Sequence, residues 1–244
     1  MVQKLYVRFS NSADEQKIFD YYNENKHEFV AKREEALWKE RIASGAVTLI
    51  EDDKGKIVAS SIHYPLVVQN DKGEDVHKWS EIGSVRVTLD GIGLFKTLMS
   101  AHIMRAYLLE PPEDRFAIEI VKTNAHSKYV FEKEGATPWA IPDKLRQMVE
   151  DSMAADDTTG AVDWFQLGVE SMPHFAQNLL DAKNNPLLTH KITGEQFELD
   201  FSKCIVTQML NKQVEKIAKL DFGDPAQPNP AHGLKTSFRD KFTP

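Results

Sequence analysis

One junction near the middle of the chain constrains the fold more than any other feature. Residues 85–98 read as the end of a strand, a turn that contains Gly91 and Gly93, and the start of a helix. Several backbone N–H groups converge at the start of such a helix, and the helix dipole favours negative charge there. The sequence therefore predicts an α/β element at this point, with a site for a phosphate-bearing ligand.

Strands and helices alternate on both sides of this junction. Their patterns predict the order β-α-α-β-β-β-α-β-α from residue 1 to about residue 140. Helices are expected over 13–25, 33–43, 93–109 and 124–134. A polar loop over 69–78 should precede a strand near 79–87. We expect an α/β (α+β) fold, with a mixed, mostly antiparallel sheet flanked by helices.

The pattern changes beyond Trp139, where helical segments dominate. Helices are predicted over 142–153, 162–182 and 203–220, with a polar break at 156–160 and one hairpin over 188–201. We therefore expect three parts: a domain over 1–140, a mainly helical extension with one hairpin over 141–222 that packs on this domain, and an extended, proline-containing tail over 223–244. The extension has no assigned role, and it could cover the acceptor side or form a homodimer contact.

Composition excludes several classes of protein and partner. The net charge of −7 argues against nucleic acid, which needs a basic face. No apolar run approaches the roughly 20 residues that span a membrane, and the first residues lack the core of a signal peptide. The lone cysteine, Cys204, is expected to be a small buried residue at a helix start. We expect a cytoplasmic protein, and no residues have the spacing of a zinc site.

Two segments match the spacing of known motifs. The first runs from Thr88 to Gly93, in the place of a motif that reads Gln or Arg, two residues, Gly, one residue, then Gly or Ala. The second begins at Asn124, with a small residue three positions on, an aromatic residue seven positions on and a glycine eleven positions on. Together, and in this element order, they make residues 1–140 resemble the GNAT superfamily of acyl-CoA-dependent N-acyltransferases.

This resemblance implies an enzyme that moves an acetyl or other acyl group from acyl-CoA to a small-molecule or peptide amine, in a ternary complex and without a metal. The fourth and fifth strands should part, so that the CoA arm lies along the edge of the fourth strand and the pyrophosphate rests on the glycine turn. The implied binding residues are Val85, Arg86, Val87, Leu89, Asp90, Gly91, Ile92, Gly93, Leu94, Asn124, Ser127 and Phe131.

The catalytic roles fall to the fourth strand. Glu81 is the candidate general base, and the backbone N–H of Val85 or Val87 is the candidate donor to the carbonyl oxygen, which gains charge in the transition state. His63 could line the acceptor cleft, but a satisfied or exposed histidine is the favoured interpretation. Asn124 could bind the CoA arm, cap its helix, or do both. The acceptor itself has no motif.

The chain departs from the family pattern at three positions. Thr88 replaces Gln or Arg, Asp90 adds a negative charge near a negative ligand, and Phe131 replaces a tyrosine that often protonates the leaving thiolate. These departures motivate an alternative, a non-catalytic module that binds acyl-CoA or another partner. A third hypothesis keeps the enzyme but changes the donor to a long acyl chain on CoA or on a carrier protein.

Overall fold

A computed structural model describes residues 2–26, 30–69, 72–154 and 161–219, with the backbone alone for 213–219. Nine strands lie in these described residues: β1 (Gln3–Phe9), β2 (Val47–Asp52), β3 (Ile57–Gln69), β4 (Asp75–Val87), β5 (Arg115–Val121), β6 (Thr137–Pro138), β7 (Val162–Gly168), β8 (Leu187–Thr189) and β9 (Gln196–Asp200). They form one sheet in the order β6-β7-β5-β4-β3-β2-β1-β9-β8. The pairs β4–β5 and β1–β9 are parallel and the others antiparallel.

In the part of the chain that the structure describes, seven α-helices cover the two faces of this sheet. They are α1 (Glu15–Glu24), α2 (Glu35–Ala43), α3 (Leu94–Leu109), α4 (Ala125–Lys133), α5 (Asp143–Asp151), α6 (Met172–Asn184) and α7 (Ile205–Lys219). One face packs against α3, α6, the first turns of α7 and Phe131 of α4. The opposite face packs against α1 and α2 over β2 and β3, and against α5 over β3, β4, β5 and β7. The predicted fold class is confirmed.

The element order expected for residues 1–140 is confirmed. Short 3-10 turns at Ser12–Asp14 and Val169–Ser171 precede α1 and α6. The hairpin expected over 188–201 is present as β8 and β9, and Cys204 is fully buried just before α7, as predicted. The predicted break at 156–160 and the tail over 223–244 lie outside the described residues.

Two predicted elements were wrong. The segment 162–182 is not one helix, because Val162–Gly168 forms β7 and pairs with β5 along its whole length. Trp164 and Phe165 are buried on opposite faces of the sheet. The segment therefore lacks the alternation of polar and apolar residues that would indicate a strand. The polar loop is also shorter than the expected range of 69–78, because β3 extends to Gln69 and β4 already begins at Asp75.

Strands from both sides of residue 140 belong to the same sheet. β6 and β7 follow β5 at one edge, and β9 pairs with β1 towards the other edge. Between β6 and β7 the chain inserts α5, which packs on the face that carries α1 and α2. The division into 1–140, 141–222 and 223–244 stays a prediction.

Candidate functional site

A cleft opens where β4 and β5 separate. The two strands pair only at residues 80–82 opposite 116–118, although β4 continues to Val87 and β5 to Val121. The space between them has a volume of about 630 Å³. Its walls come from both strands, the turn after β4, and α4. We call the paired residues 80–82 and 116–118 the branch point.

The edge of β4 that faces this cleft has unpaired backbone groups. The N–H of Thr88 donates to the carbonyl of Val58 on β3 at 2.9 Å. Since successive N–H groups of a strand point to opposite edges, the N–H of Val87 points away from β3 and towards the cleft. A ligand with amide groups could therefore pair with this edge as an additional strand would.

A bulge in β4 begins at Ser84, which has a positive φ of 49°. Two buried tyrosines hold it: the Tyr22 hydroxyl donates to the Ser84 carbonyl, and the Tyr64 hydroxyl lies 3.2 Å from Ser84 Oγ. Burial raises the pKa of both tyrosine hydroxyls, so they remain protonated. These contacts fix the course of β4 as it leaves the branch point.

The glycine turn (residues 89–94) lies at the open end of the cleft. Gly91 and Gly93 have φ values of 78° and 80°, which favour glycine, and Gly93 immediately precedes α3. Leu89, Asp90, Gly91, Gly93 and Leu94 line the cleft, whereas Ile92 is buried in the core and can contribute only its backbone. Asp90 is exposed to solvent.

Thr88 makes no side-chain contribution to this turn. Its hydroxyl donates to the carbonyl of Val58 at 3.1 Å, and the residue is not part of the cleft wall. The absence of Gln or Arg at this position is therefore not compensated by the threonine. Any anion at the turn depends on backbone N–H groups and the dipole of α3.

The tip of the β8–β9 hairpin (residues 190–195) packs against the glycine turn. The backbone N–H of Lys191 donates to the carbonyl of Gly91 at 3.2 Å. The His190 ring accepts the backbone N–H groups of Ile192 and Thr193 at Nδ1, at 3.2 and 3.1 Å, which places the ring proton on Nε2. A Cβ atom added to Gly91 would lie 2.8 Å from His190 Nε2.

This contact predicts a specific coupling between Gly91 and His190. Gly91→Ala should destabilise the fold by more than Gly93→Ala, because both positions have positive φ but a Cβ at Gly93 meets nothing within 4 Å. Adding His190→Ala should recover part of the Gly91→Ala loss and none of the Gly93→Ala loss. Urea unfolding of the two double-mutant cycles measures this, and equal coupling energies for Gly91 and Gly93 would contradict the contact.

Helix α4 forms the wall opposite β4. Asn124 caps the helix, since its side chain accepts the N–H of Ser127 at 3.1 Å, and both residues line the cleft. Phe131 also lines it, in edge-to-face contact with Phe95 at 5.3 Å between ring centroids. Tyr129 is 64% exposed and lies outside the cleft. In the described part of the chain no tyrosine lines this space.

An ion pair at the branch point was not predicted from the sequence. Arg33 enters from the segment before α2, and its guanidinium binds the Glu81 carboxylate and, at 3.1 Å, the Glu119 carboxylate. It also donates to the Val149 carbonyl at 3.1 Å and lies over the Tyr64 ring. Burial raises the pKa of the Glu81 carboxyl, and Arg33 opposes this. The Oε2 atom of Glu81 is buried without a hydrogen-bond partner among the described residues.

His63 lies away from the cleft. It is buried in a cluster between α2, β3 and α3, with its Nδ1 atom 3.2 Å from the Arg41 guanidinium. Burial lowers the pKa of His63, so the ring is neutral and accepts this bond. Glu110 joins Arg41 and Arg105 at 2.9 Å each. His63 therefore does not line the cleft, in agreement with the interpretation that the sequence favours.

The structure brings most of the predicted site residues together around the cleft, from Glu81 at the branch point to Leu94 at the turn. In the described ranges, no group of three or more His, Cys, Asp or Glu side chains is arranged to hold a metal ion. Among those same residues, no helix has the length and apolar character needed to cross a membrane.

No protein-family model and no curated protein sequence matches the chain. It is similar in fold to the spermidine N-acetyltransferase from Vibrio cholerae in complex with CoA and spermine, with 13% identity, a TM-score of 0.47, and coverage of 69% of this chain and 98% of that one. It is similar to a GNAT-family acetyltransferase from Streptococcus pneumoniae, with 12% identity, a TM-score of 0.47, and coverage of 68% and 99%.

A GNAT-family acetyltransferase from Listeria monocytogenes is also similar, with 15% identity, a TM-score of 0.44, and coverage of 68% and 95%.

Proposed function

We propose that this protein is an N-acyltransferase that moves an acetyl or other acyl group from acyl-CoA to an amine in a ternary complex. One observation carries the proposal: β4 and β5 pair over residues 80–82 and 116–118 and then part beside a glycine turn. An open strand edge next to convergent N–H groups suits an extended, amide-containing arm with a phosphate tail.

The donor fits the cleft in one direction. The pyrophosphate binds the N–H groups of Leu89 to Leu94, and the arm runs along Val85, Arg86 and Val87 towards the branch point, opposite Asn124, Ser127 and Phe131. At about 3.3 Å per residue, Val87 lies about 16 Å from Ile82 along the strand. The N–H of Val87 therefore suits an amide of the arm. We assign the oxyanion contact to Val85, the other candidate, because it is closer to the branch point.

The reaction joins the amine nitrogen to the thioester carbonyl carbon. The amine loses a proton to a base, the C–N bond forms, and the C–S bond then breaks to release CoA thiolate, which takes up a proton. Glu81 lies at the branch point, where the thioester ends in this placement. Its Oε2 atom is buried without a partner among the described residues, and a shift of the side chain towards the cleft would let this atom accept the amine proton, directly or through a water. Its raised pKa makes it a stronger base than an exposed carboxylate.

A non-catalytic acyl-CoA-binding module is the second candidate. Two observations favour it: Phe131 has no hydroxyl group to protonate the thiolate, and Arg33 holds one oxygen of Glu81 in an ion pair. Titration calorimetry with acetyl-CoA and a thiol-release assay over a panel of amines separate the two. Binding with turnover supports the enzyme, binding without turnover on any amine supports the module, and no binding excludes both.

Glu81→Gln should lower kcat for amine acylation by about a hundredfold or more, since general-base catalysis contributes about 10²–10⁴-fold. The affinity for acetyl-CoA should change less than twofold, because Gln keeps the size and one acceptor atom for Arg33. Glu119→Gln is the matched control, since Glu119 also lines the cleft and binds Arg33. Equal losses of kcat in the two variants would contradict a base at Glu81.

A further inference from the structure

A second cavity lies beside the cleft, on the face of the sheet that carries α5. It has a volume of about 610 Å³ and shares two wall residues, Glu119 and Val162, with the cleft. Glu81, Glu119 and Trp164 face the same side of the sheet, because Glu119 is opposite Trp164 and Glu81 opposite Ala117 in register. The second cavity and Glu81 therefore lie on one face of the sheet, with Glu119 on the strand between them.

The second cavity has an apolar wall and a charged rim. Its deep wall is apolar: Ile141, Val149 and Trp164 are each at most 9% exposed, and the partly buried Trp139 and Met153 complete it. Its rim is charged, with Lys122 and Arg146 beside Glu150 and Asp163. The wall suits an apolar body.

The polar end of such a ligand is specified by Glu81. The Oε2 atom of this buried carboxylate has no hydrogen-bond partner in the described residues, which leaves a strong acceptor unsatisfied in the wall of the cleft. An ammonium or amine N–H group at this point would satisfy it. The rest of the acceptor molecule, to which the amine is attached, then lies in the second cavity.

We infer that the acceptor is a primary amine carried on an apolar, aromatic-sized body, with the amine at Glu81 and the body against Trp164 and Met153 in the second cavity. This inference rests on the proposed function and adds the class of acceptor. It places the specificity of the enzyme in the α5 insertion between β6 and β7. Polyamines are poor acceptors here, because their additional ammonium groups find an apolar wall.

The test compares three acceptors with acetyl-CoA as donor: 2-phenylethylamine, ethylamine and spermidine. We expect kcat/KM for 2-phenylethylamine to exceed that of each of the other two by at least tenfold. A preference for spermidine, or equal values for 2-phenylethylamine and ethylamine, overturns the inference and leaves the proposed function intact. If acetyl-CoA binds but no amine is acylated, the proposed function fails and the inference fails with it.

A variant locates the body of the acceptor. Ala140 is an exposed residue of the cavity wall, so Ala140→Trp should fill the space, with Ala140→Ser as the control. We expect Ala140→Trp to raise KM for 2-phenylethylamine at least fivefold and to leave KM for ethylamine and for acetyl-CoA unchanged. An unchanged KM for 2-phenylethylamine, or the same increase for both amines, contradicts the placement.

Discussion

Replacing Gly93 by aspartate should weaken acetyl-CoA binding at least tenfold relative to replacement by asparagine. The two variants are a matched pair, because Asn and Asp have the same shape and both tolerate positive φ better than other residues do. The Cβ of either has open space, since nothing lies within 4 Å of that position. They differ by one negative charge at the turn that we assign to the pyrophosphate. Tenfold corresponds to about 1.4 kcal/mol.

Stability should change in the opposite direction from affinity. Gly93 is the N-cap of α3, where a negative charge interacts favourably with the helix dipole. Gly93→Asp should therefore unfold at the same temperature as Gly93→Asn or at a higher one. Calorimetric titration and thermal unfolding of both variants give the two comparisons. The difference in acetyl-CoA affinity between Gly93→Asp and Gly93→Asn should be smaller in high salt, because salt screens the repulsion between the carboxylate and the phosphate. Equal acetyl-CoA affinities of the two variants at low salt would contradict the assignment of the pyrophosphate to this turn.

The part of the site that the sequence predicts is local along the chain. The turn at Gly91 and Gly93 joins β4 directly to α3, and the capping Asn124 joins β5 to α4. Turn and cap residues have conformational preferences that act over a few positions, so their pattern alone locates them. The element order of residues 1–140 followed from periodicity for the same reason.

The residues that the sequence did not predict act across long separations. Arg33 reaches Glu81 at a separation of 48 positions, from a point two residues before α2. His190 and Lys191 contact the glycine turn from a hairpin about a hundred residues further along. No local pattern identifies such partners. A charged residue at the start of the predicted helix 33–43 was the only signal for Arg33, and it is a weak one.

The error at 162–168 also has a physical cause. Because helices cover both faces of the sheet, β7 buries Trp164 on one face and Phe165 on the other, and consecutive apolar residues fit a buried helix as well as a buried strand. The same strand carries Val162 and Trp164 into the second cavity. The misassigned segment thus contains part of the proposed acceptor site.

Replacing Arg33 by methionine should destabilise the protein by about 3–5 kcal/mol, the usual cost of removing one partner of a buried ion pair. The Arg33 side chain is 3% exposed and binds Glu81, Glu119 and the Val149 carbonyl. Without the guanidinium, the Glu81 carboxylate stays buried with no cation beside it. The double variant Arg33→Met with Glu81→Gln removes that charge as well. The double variant should recover a large part of the lost free energy of unfolding. Urea unfolding at neutral pH measures the free energy of unfolding of both variants.

The pH dependence separates the buried charge from the lost hydrogen bonds. Burial already raises the folded-state pKa of Glu81 above its usual value of 4.5, and losing Arg33 removes the interaction that opposes this. The folded Arg33→Met variant then keeps a proton that the unfolded chain releases, so its free energy of unfolding falls as pH rises from about 4.5 through the folded-state pKa. The free energy of unfolding of Arg33→Met should be only slightly below that of the double variant near pH 4.5, and the difference should be largest above neutrality. A deficit that is constant with pH would instead assign the loss to the bonds between Arg33 and the end of α5.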